Sequence, residues 1–183
     1  MPVALAAAIA SLSACHGPTI ELPRYGHVPE FEMTDSTGRA FNSQSLNGKV
    51  WVADFIYTNC PGPCPRMTSQ MHRLEKRIGG ETDVRLVSIS VDPQRDTPQV
   101  LDEYAHRFGG PSEQWIFLTG SPTTVHLLAF STFHIGDVIS RMDHSTKFAL
   151  VDKHGDIRGY YSTFDSDGMP SLLKDVATLR NAS

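Results

Sequence analysis

Cysteine is scarce in this chain, and basic residues are not in excess. Three cysteines in 183 residues are too few for a disulfide-stapled scaffold, so burial of apolar side chains must hold the fold. Lys and Arg number 16 against 20 acidic residues, which gives a net charge of −4 without a basic stripe. There is also no platform of aromatic and arginine side chains for single strands. We therefore expect no nucleic-acid partner.

The chain also lacks an apolar run that reaches the roughly 20 residues needed to cross a bilayer. Residues 1–14 are uncharged and apolar or small, which is typical of the apolar part of an export signal, although no Lys or Arg precedes them. The next four-residue pattern, Leu-Ser-Ala-Cys ending at Cys15, resembles the lipobox of bacterial lipoproteins. A disordered N-terminus with an unrelated cysteine is the alternative.

The lipobox resemblance implies cleavage before Cys15 and lipid on its sulfur. The protein would then be exported and tethered to a membrane of the bacterial cell envelope, with its domain on the periplasmic or extracytoplasmic side. We accordingly expect a signal segment at residues 1–14, a tether at residues 15–29, and one folded domain at residues 30–183.

Apolar strand patterns alternate with amphipathic helix patterns along that domain. The helix after the first long strand shows one apolar face, and two later helices begin with a capping hydroxyl followed by proline. The predicted elements are a hairpin (31–41), strands (50–57, 84–91, 115–118), helices (66–78, 98–108, 122–130), a second hairpin (148–152 and 157–161) and a last helix (169–179). This order predicts an α/β thioredoxin-like fold, with a mainly parallel central sheet, helices on both faces and an N-terminal hairpin.

Two cysteines four residues apart, Cys60 and Cys64, lie between the strand at 50–57 and the following helix. The unsatisfied N–H groups of a helix start favour thiolates, which attack disulfides or bind soft metals. Pro61 and Pro63 disfavour helix in the residues before them, so a short turn could bring both sulfurs together. A disulfide, a shared metal, or inert structural thiols remain open from the spacing alone.

His144, in the sequence Asp143-His144-Ser145, precedes the predicted strand at 148–152. In a thioredoxin-like sheet this loop lies beside the cysteine loop, where thioredoxin-type oxidoreductases have a cis-proline. No proline occurs between Pro122 and Pro170. Two thiolates and an imidazole would favour copper(I), with zinc possible on ligand type.

Three blocks of this sequence together resemble the Sco/SenC family. They are Tyr-Thr-Asn-Cys-Pro-Gly-Pro-Cys-Pro at 57–65, Ser-Ile-Ser-Val-Asp-Pro-Gln-Arg-Asp-Thr-Pro at 88–98, and Asp-His-Ser at 143–145. The resemblance implies a membrane-tethered, thioredoxin-like copper protein that helps to assemble the dinuclear copper site of cytochrome c oxidase. It also implies Cys60, Cys64 and His144 as copper ligands, for Cu⁺, Cu²⁺ or both. The oxidase subunit that carries this site would be the partner, with other copper chaperones or thiol reductants as further ones.

Three acidic residues are weaker candidates for a supporting role at the metal. Asp92 and Asp96 flank Pro93 and could simply end the strand and cap the next helix. Asp143 could orient the imidazole of His144, or else cap a turn. Met67 and Met71 match the buried face of their helix, so we expect core packing rather than copper binding.

Two functions remain in competition at this point. The first is a metallochaperone that binds and transfers copper once its cysteines are reduced. The second is a thiol–disulfide oxidoreductase that reduces the copper-site cysteines of its partner, with Cys60 and Cys64 as the redox-active pair. A thiol peroxidase fits poorly, because Ala53 and Tyr57 stand where its reactive-cysteine motif has proline and threonine.

Overall fold

A strand in which all seven residues are buried, β4 (Val50–Ile56), lies near the centre of the sheet. The structure is a computed structural model that describes residues 21–135 and 146–182. The strands of these residues are β1 (Gly26–His27), β2 (Glu32–Asp35), β3 (Ala40–Asn42), β4, β5 (Val84–Ser90), β6 (Trp115–Thr119), β7 (Lys147–Val151) and β8 (Asp156–Ser162). They form one sheet in the order β1-β8-β7-β4-β5-β6-β2-β3.

Several helix ends lie at capping residues that the sequence marks. They are α1 (Cys64–Ile78), α2 (Pro98–His106), α3 (Pro122–His126), which continues as a π-helical stretch (Leu127–Thr132), and α4 (Gly168–Asn181). Thr97 caps α2 by accepting a hydrogen bond from the N–H of Val100. Gly79 ends α1 in the left-handed conformation, with φ of 66°, which a glycine adopts without steric cost.

Side chains alternate along β4 between two apolar clusters, one on each face of the sheet. Val50, Val52 and Ile56 pack with α1 and α4, in the cluster that also contains both cysteines of the 60–64 pair. Trp51, Ala53 and Phe55 pack on the opposite face with α3 and the π-helical stretch. The helices therefore cover both faces, and the expected α/β thioredoxin-like class is confirmed. Met67 and Met71 are fully buried in the first cluster, which confirms that they belong to the core.

Parallel pairing is less extensive than the sequence pattern predicts. Among the strands that the structure describes, only β4, β5 and β6 run parallel, whereas β7, β8, β1 and the hairpin strands all join their neighbours antiparallel. The reason is that the two hairpins add to the sheet at both sides of the parallel centre. The expectation of a mainly parallel sheet therefore holds for the three central strands alone.

The second half of the expected tether, at residues 15–29, belongs to the folded domain instead. Residues 26–27 form β1, which pairs with the start of β8, and the N–H of Val28 donates to the carbonyl of Gly155 at 2.9 Å. The guanidinium of Arg158 also donates to the carbonyls of Leu22 and Pro23. Because residues 26–28 pair with the edge of the sheet and Arg158 holds the carbonyls of Leu22 and Pro23, the folded unit extends N-terminally to at least residue 22.

Candidate metal centre

The cysteine loop lies at the carboxyl end of β4, where the chain leaves the centre of the sheet. The N–H of Cys60 donates to the carbonyl of Tyr57 at 3.3 Å, which closes a turn just beyond the strand. Cys64 is the first residue of α1, and Pro63 precedes it as the capping residue. Both cysteines are free thiols, and they are buried, with 7% and 1% of their surfaces exposed.

The sulfur of Cys60 receives several hydrogen bonds. Burial by itself would raise the pKa of Cys60. The thiol of Cys64, the backbone N–H groups of Cys64 and Gly62 and the hydroxyl of Tyr57 all donate to this sulfur, and together they lower its pKa. The N–H of Cys64 is one of those that a helix start leaves without internal partners, so the expected stabilisation of a thiolate occurs at Cys60.

Cys64 departs from the expectation that both thiols favour the charged form. Its pKa is raised to about 12, chiefly by burial, and the hydrogen bond that it donates to Cys60 and the nearby charges of Cys60 and Asp54 act in the same direction. A donated hydrogen bond stabilises the protonated thiol, and only one of two adjacent sulfurs carries negative charge easily. The pair is therefore asymmetric, with Cys60 the more acidic partner.

Asp54 is an ionisable group that the sequence reasoning did not single out. It lies on β4 opposite Ser88 of β5, it is fully buried, and neither of its carboxyl oxygens has a hydrogen-bond partner among the residues that the structure describes. By strand alternation it faces the same side as Val52 and Ile56, which is the side of the cysteines. Burial raises its pKa to about 7.

The two acidic residues beside Pro93 have different surroundings. Asp96 is buried and accepts hydrogen bonds from the N–H and hydroxyl of Thr58 and from the hydroxyl of Ser90. Asp92 is half-buried, and Arg95 donates to its carboxyl group at 3.5 Å. Asp96 thus contacts the cysteine loop through Thr58.

The remaining predicted site residues, His144, Asp143 and Cys15, lie outside the described residues. Residues 21–135 and 146–182 contain no group of three His, Cys, Asp or Glu side chains able to hold a metal. Thr146, two residues after His144 in the chain, is well anchored: its carbonyl accepts from the N–H and the hydroxyl of Thr163 at 2.8 and 2.7 Å. The carbonyl of Thr163 in turn accepts from the side chain of Gln70 on α1 at 2.7 Å.

Tyr57 and Thr58 also contribute to the site without having been predicted. The hydroxyl of Tyr57 bonds to the sulfur of Cys60, and burial together with this bond raises the pKa of Tyr57 to about 12. Thr58 connects the same turn to Asp96. A tyrosine at the end of an apolar strand is usually a packing residue, so its position next to the cysteine motif was the only available signal.

Comparisons with known proteins agree on one family. A model of the SCO1/SenC family matches residues 21–179. The SCO1 protein homolog of Bacillus subtilis (strain 168) is 33% identical over 173 residues, which cover 90% of this chain and 89% of that protein. A putative copper-binding protein of Stutzerimonas stutzeri is 31% identical over 166 residues, covering 85% of this chain and 79% of the relative.

Solved structures show the same likeness. A SCO1/SenC family lipoprotein from Bacillus anthracis str. Ames is 33% identical with a TM-score of 0.76, covering 84% of this chain and 95% of that one. BsSco, a member of the Sco family of cytochrome c oxidase assembly proteins in which a disulfide switch was identified, is 31% identical with a TM-score of 0.79, covering 91% and 100%. Arabidopsis thaliana ScoI with copper bound is 28% identical with a TM-score of 0.67, covering 84% and 98%.

Proposed function

The chain belongs to the SCO1/SenC family, and on this basis we propose that it is a copper chaperone for the dinuclear copper site of cytochrome c oxidase. The observation that carries the proposal is the pair of free, hydrogen-bonded thiols at Cys60 and Cys64. Soft thiolate ligands suit copper(I), and also zinc. A copper-bound structure of a related protein supports the same cargo.

The proposed copper ligands are Cys60, Cys64 and His144. The support for Cys60 and Cys64 is that their sulfurs are within hydrogen-bonding reach of each other. The support for His144 is its sequence block and the anchoring of Thr146, whose hydrogen bonds to Thr163 and through it to α1 fix the chain two residues further on. We also propose that the metal is held as Cu⁺, Cu²⁺ or both.

Copper loading on this pair requires reduced cysteines and releases protons. Cys60, with its lowered pKa, presents the first sulfur, and the metal must then displace the proton that Cys64 holds. Oxidation of the pair to a disulfide removes both ligands, so binding would be gated by redox state. A thiolate of the partner then enters the coordination sphere as one of these sulfurs leaves.

A second candidate function is thiol–disulfide exchange, and the asymmetry of the pair favours it. The more acidic Cys60 suits attack on a disulfide, and the protonated Cys64 suits resolution of the mixed disulfide. The related BsSco has a disulfide switch. In this reading the protein reduces the copper-site cysteines of the oxidase subunit, with a further thiol reductant regenerating its own pair.

Membrane attachment is proposed from the sequence around Cys15. Lipid on its sulfur would hold the domain at the outer side of the cytoplasmic membrane, where an oxidase copper site is assembled. The related Bacillus anthracis protein is a lipoprotein. Among the described residues, no helix has the length and apolar character needed to cross a bilayer.

The test is Cu(I) binding by the reduced protein, measured by competition with a chromophoric Cu(I) chelator. The wild type is expected to bind one copper, and His144→Ala to lose at least tenfold in affinity. His154→Ala, an exposed histidine in the turn between β7 and β8, is the matched control and should bind as the wild type does. Equal affinity in all three proteins removes His144 from the ligand set. Disulfide reductase activity without copper retention by the wild type decides for the oxidoreductase.

A further inference from the structure

The carboxyl group of Asp96 joins the ends of two neighbouring strands just below the cysteine loop. It is 1% exposed and accepts three hydrogen bonds. One carboxyl oxygen accepts from the hydroxyl of Thr58 at 2.6 Å. The other accepts from the N–H of Thr58 at 3.1 Å and from the hydroxyl of Ser90 at 2.6 Å.

Thr58 needs a partner of this kind because it lies beyond the regular pairing of the sheet. The ladder between β4 and β5 ends with Ile56 opposite Ser90, and the N–H of Val91 makes the last bond, to the carbonyl of Ile56. A half-buried N–H beyond that point would otherwise be left without a partner, at a cost in free energy. The side chain of Asp96 takes the place of the missing strand neighbour.

The position of Cys60 depends on this attachment. Thr58 and Cys60 belong to one turn, closed by the hydrogen bond from the N–H of Cys60 to the carbonyl of Tyr57. The bonds that the sulfur of Cys60 receives come from Tyr57 and from the start of α1. The turn must therefore be held in place for all of these donors to meet the sulfur together.

We propose that Asp96 is a positioning residue for Cys60: by holding Thr58, it fixes the sulfur of Cys60 against Cys64 and so favours both their disulfide and their joint binding of copper. The copper half of this statement rests on the proposed function, whereas the disulfide half does not. Asp96 itself does not serve as a ligand, because protein donors occupy both of its oxygens and almost none of its surface is exposed.

The experiment compares Asp96→Asn with a matched control, Asp152→Asn. Asp152 is also buried and accepts three protein hydrogen bonds, from the N–H groups of His154 and Asp156 and from Arg158. It lies in the turn after β7, at the opposite end of the sheet from Cys60. A merely structural role predicts the same outcome for both variants, namely a lower unfolding temperature and an unchanged site.

Two readouts separate positioning from stability. The first is the equilibrium of the Cys60–Cys64 pair with reduced and oxidised glutathione, and the second is Cu(I) affinity by chelator competition. For Asp96→Asn we expect the disulfide to become about tenfold less favoured, the fold-change that corresponds to one lost hydrogen bond to a charged group. Cu(I) affinity should fall by a similar factor. Asp152→Asn should stay within twofold of the wild type in both.

A milder variant covers the case in which Asp96→Asn fails to fold. Thr58→Val keeps the shape and the N–H of Thr58 and removes only the hydroxyl that bonds to Asp96. It should shift the glutathione equilibrium in the same direction by a smaller factor. The proposal is overturned if Asp96→Asn, or Thr58→Val in its place, leaves that equilibrium within twofold of the wild type. If the equilibrium shifts but no protein binds copper, the positioning role stands and the proposed copper function fails.

Discussion

The thiol of Cys64 donates a hydrogen bond to the sulfur of Cys60, and this one relationship moves the two pKa values in opposite directions. Burial and the donated bond together raise the pKa of Cys64 to about 12. The same bond lowers the pKa of Cys60, where it acts together with the N–H groups at the start of α1. Such a pair, in which Cys60 favours the thiolate and Cys64 keeps its proton, suits both a metal site and a disulfide exchange site.

Removing either cysteine should therefore move the pKa of the other toward its ordinary value. In Cys64→Ala, the sulfur of Cys60 loses a donor and its pKa should rise. In Cys60→Ala, Cys64 loses an acceptor and an adjacent negative charge, and its pKa should fall from about 12. Thiolate absorbance near 240 nm, followed across pH in each variant, measures both changes. Two unchanged titrations would mean that the sulfurs do not interact.

Tyr57→Phe should make Cys60 less acidic without altering the packing of the turn. The hydroxyl of Tyr57 donates to the sulfur of Cys60, and phenylalanine removes that donor while keeping the ring. The expected result is a slower reaction of Cys60 with iodoacetamide at neutral pH, because less thiolate is present. Tyr160→Phe is the control, since the buried hydroxyl of Tyr160 has no hydrogen-bond partner within residues 21–135 and 146–182. It should leave the alkylation rate unchanged.

How far the sequence predicts this molecule differs between the fold and the site. The capping pair Thr97-Pro98 and the apolar face of α1 mark their helices correctly, because local hydrogen bonds and periodicity determine such features. Strand β1 was missed because two residues carry no periodicity, and pairing with β8 decides their conformation. The antiparallel pairing of β7 with β4 and of β2 with β6 could not be predicted either, because hydropathy marks a strand but not its neighbour in the sheet.

At the site, spacing in the sequence predicted the cysteine pair but not its asymmetry. The opposite pKa shifts arise from which sulfur donates and from how deeply each is buried, and both are properties of the folded turn. The role of Asp96 depends on a contact with Thr58, 38 residues earlier in the chain. His144 stays a prediction from its sequence block, supported by the anchoring of Thr146.

Asp54→Asn should stabilise the protein above neutral pH. The pKa of Asp54 is about 7 in the folded protein and 3.8 ordinarily, so between these values the folded state holds a proton that the unfolded chain has lost. The free energy of unfolding therefore falls as pH rises through this window, by about 4 kcal/mol at most. Asparagine carries no charge at any pH and removes this dependence. Urea unfolding of the reduced proteins at pH 5 and pH 8 measures the effect.

Between pH 5 and pH 8 the free energy of unfolding of the wild type should fall by about 3 kcal/mol relative to that of Asp54→Asn. The reason is that the two pH units from 5 to 7 lie within the window in which the folded protein holds the extra proton. Asp35→Asn is the control. Burial would raise the pKa of Asp35, but hydrogen bonds from Thr37 and Arg39 lower it below its ordinary value. Any loss of stability in that variant should thus be the same at both pH values. A constant difference between Asp54→Asn and the wild type would show that Asp54 is already charged at pH 5.

Copper affinity should rise steeply with pH in the range from 7 to 9. Cys64, with a pKa of about 12, keeps its proton in the metal-free protein throughout this range, so each copper bound to its sulfur displaces one proton. One displaced proton gives about a tenfold gain in apparent affinity per pH unit. Chelator competition with Cu(I), repeated at half-unit steps, should give a slope of log affinity against pH of at least one. In Cys64→Ser the slope should drop by about one, because the proton of Cys64 is no longer part of the reaction. A flat profile in the wild type would mean that copper binds without the sulfur of Cys64, and the two-thiolate site would have to be abandoned.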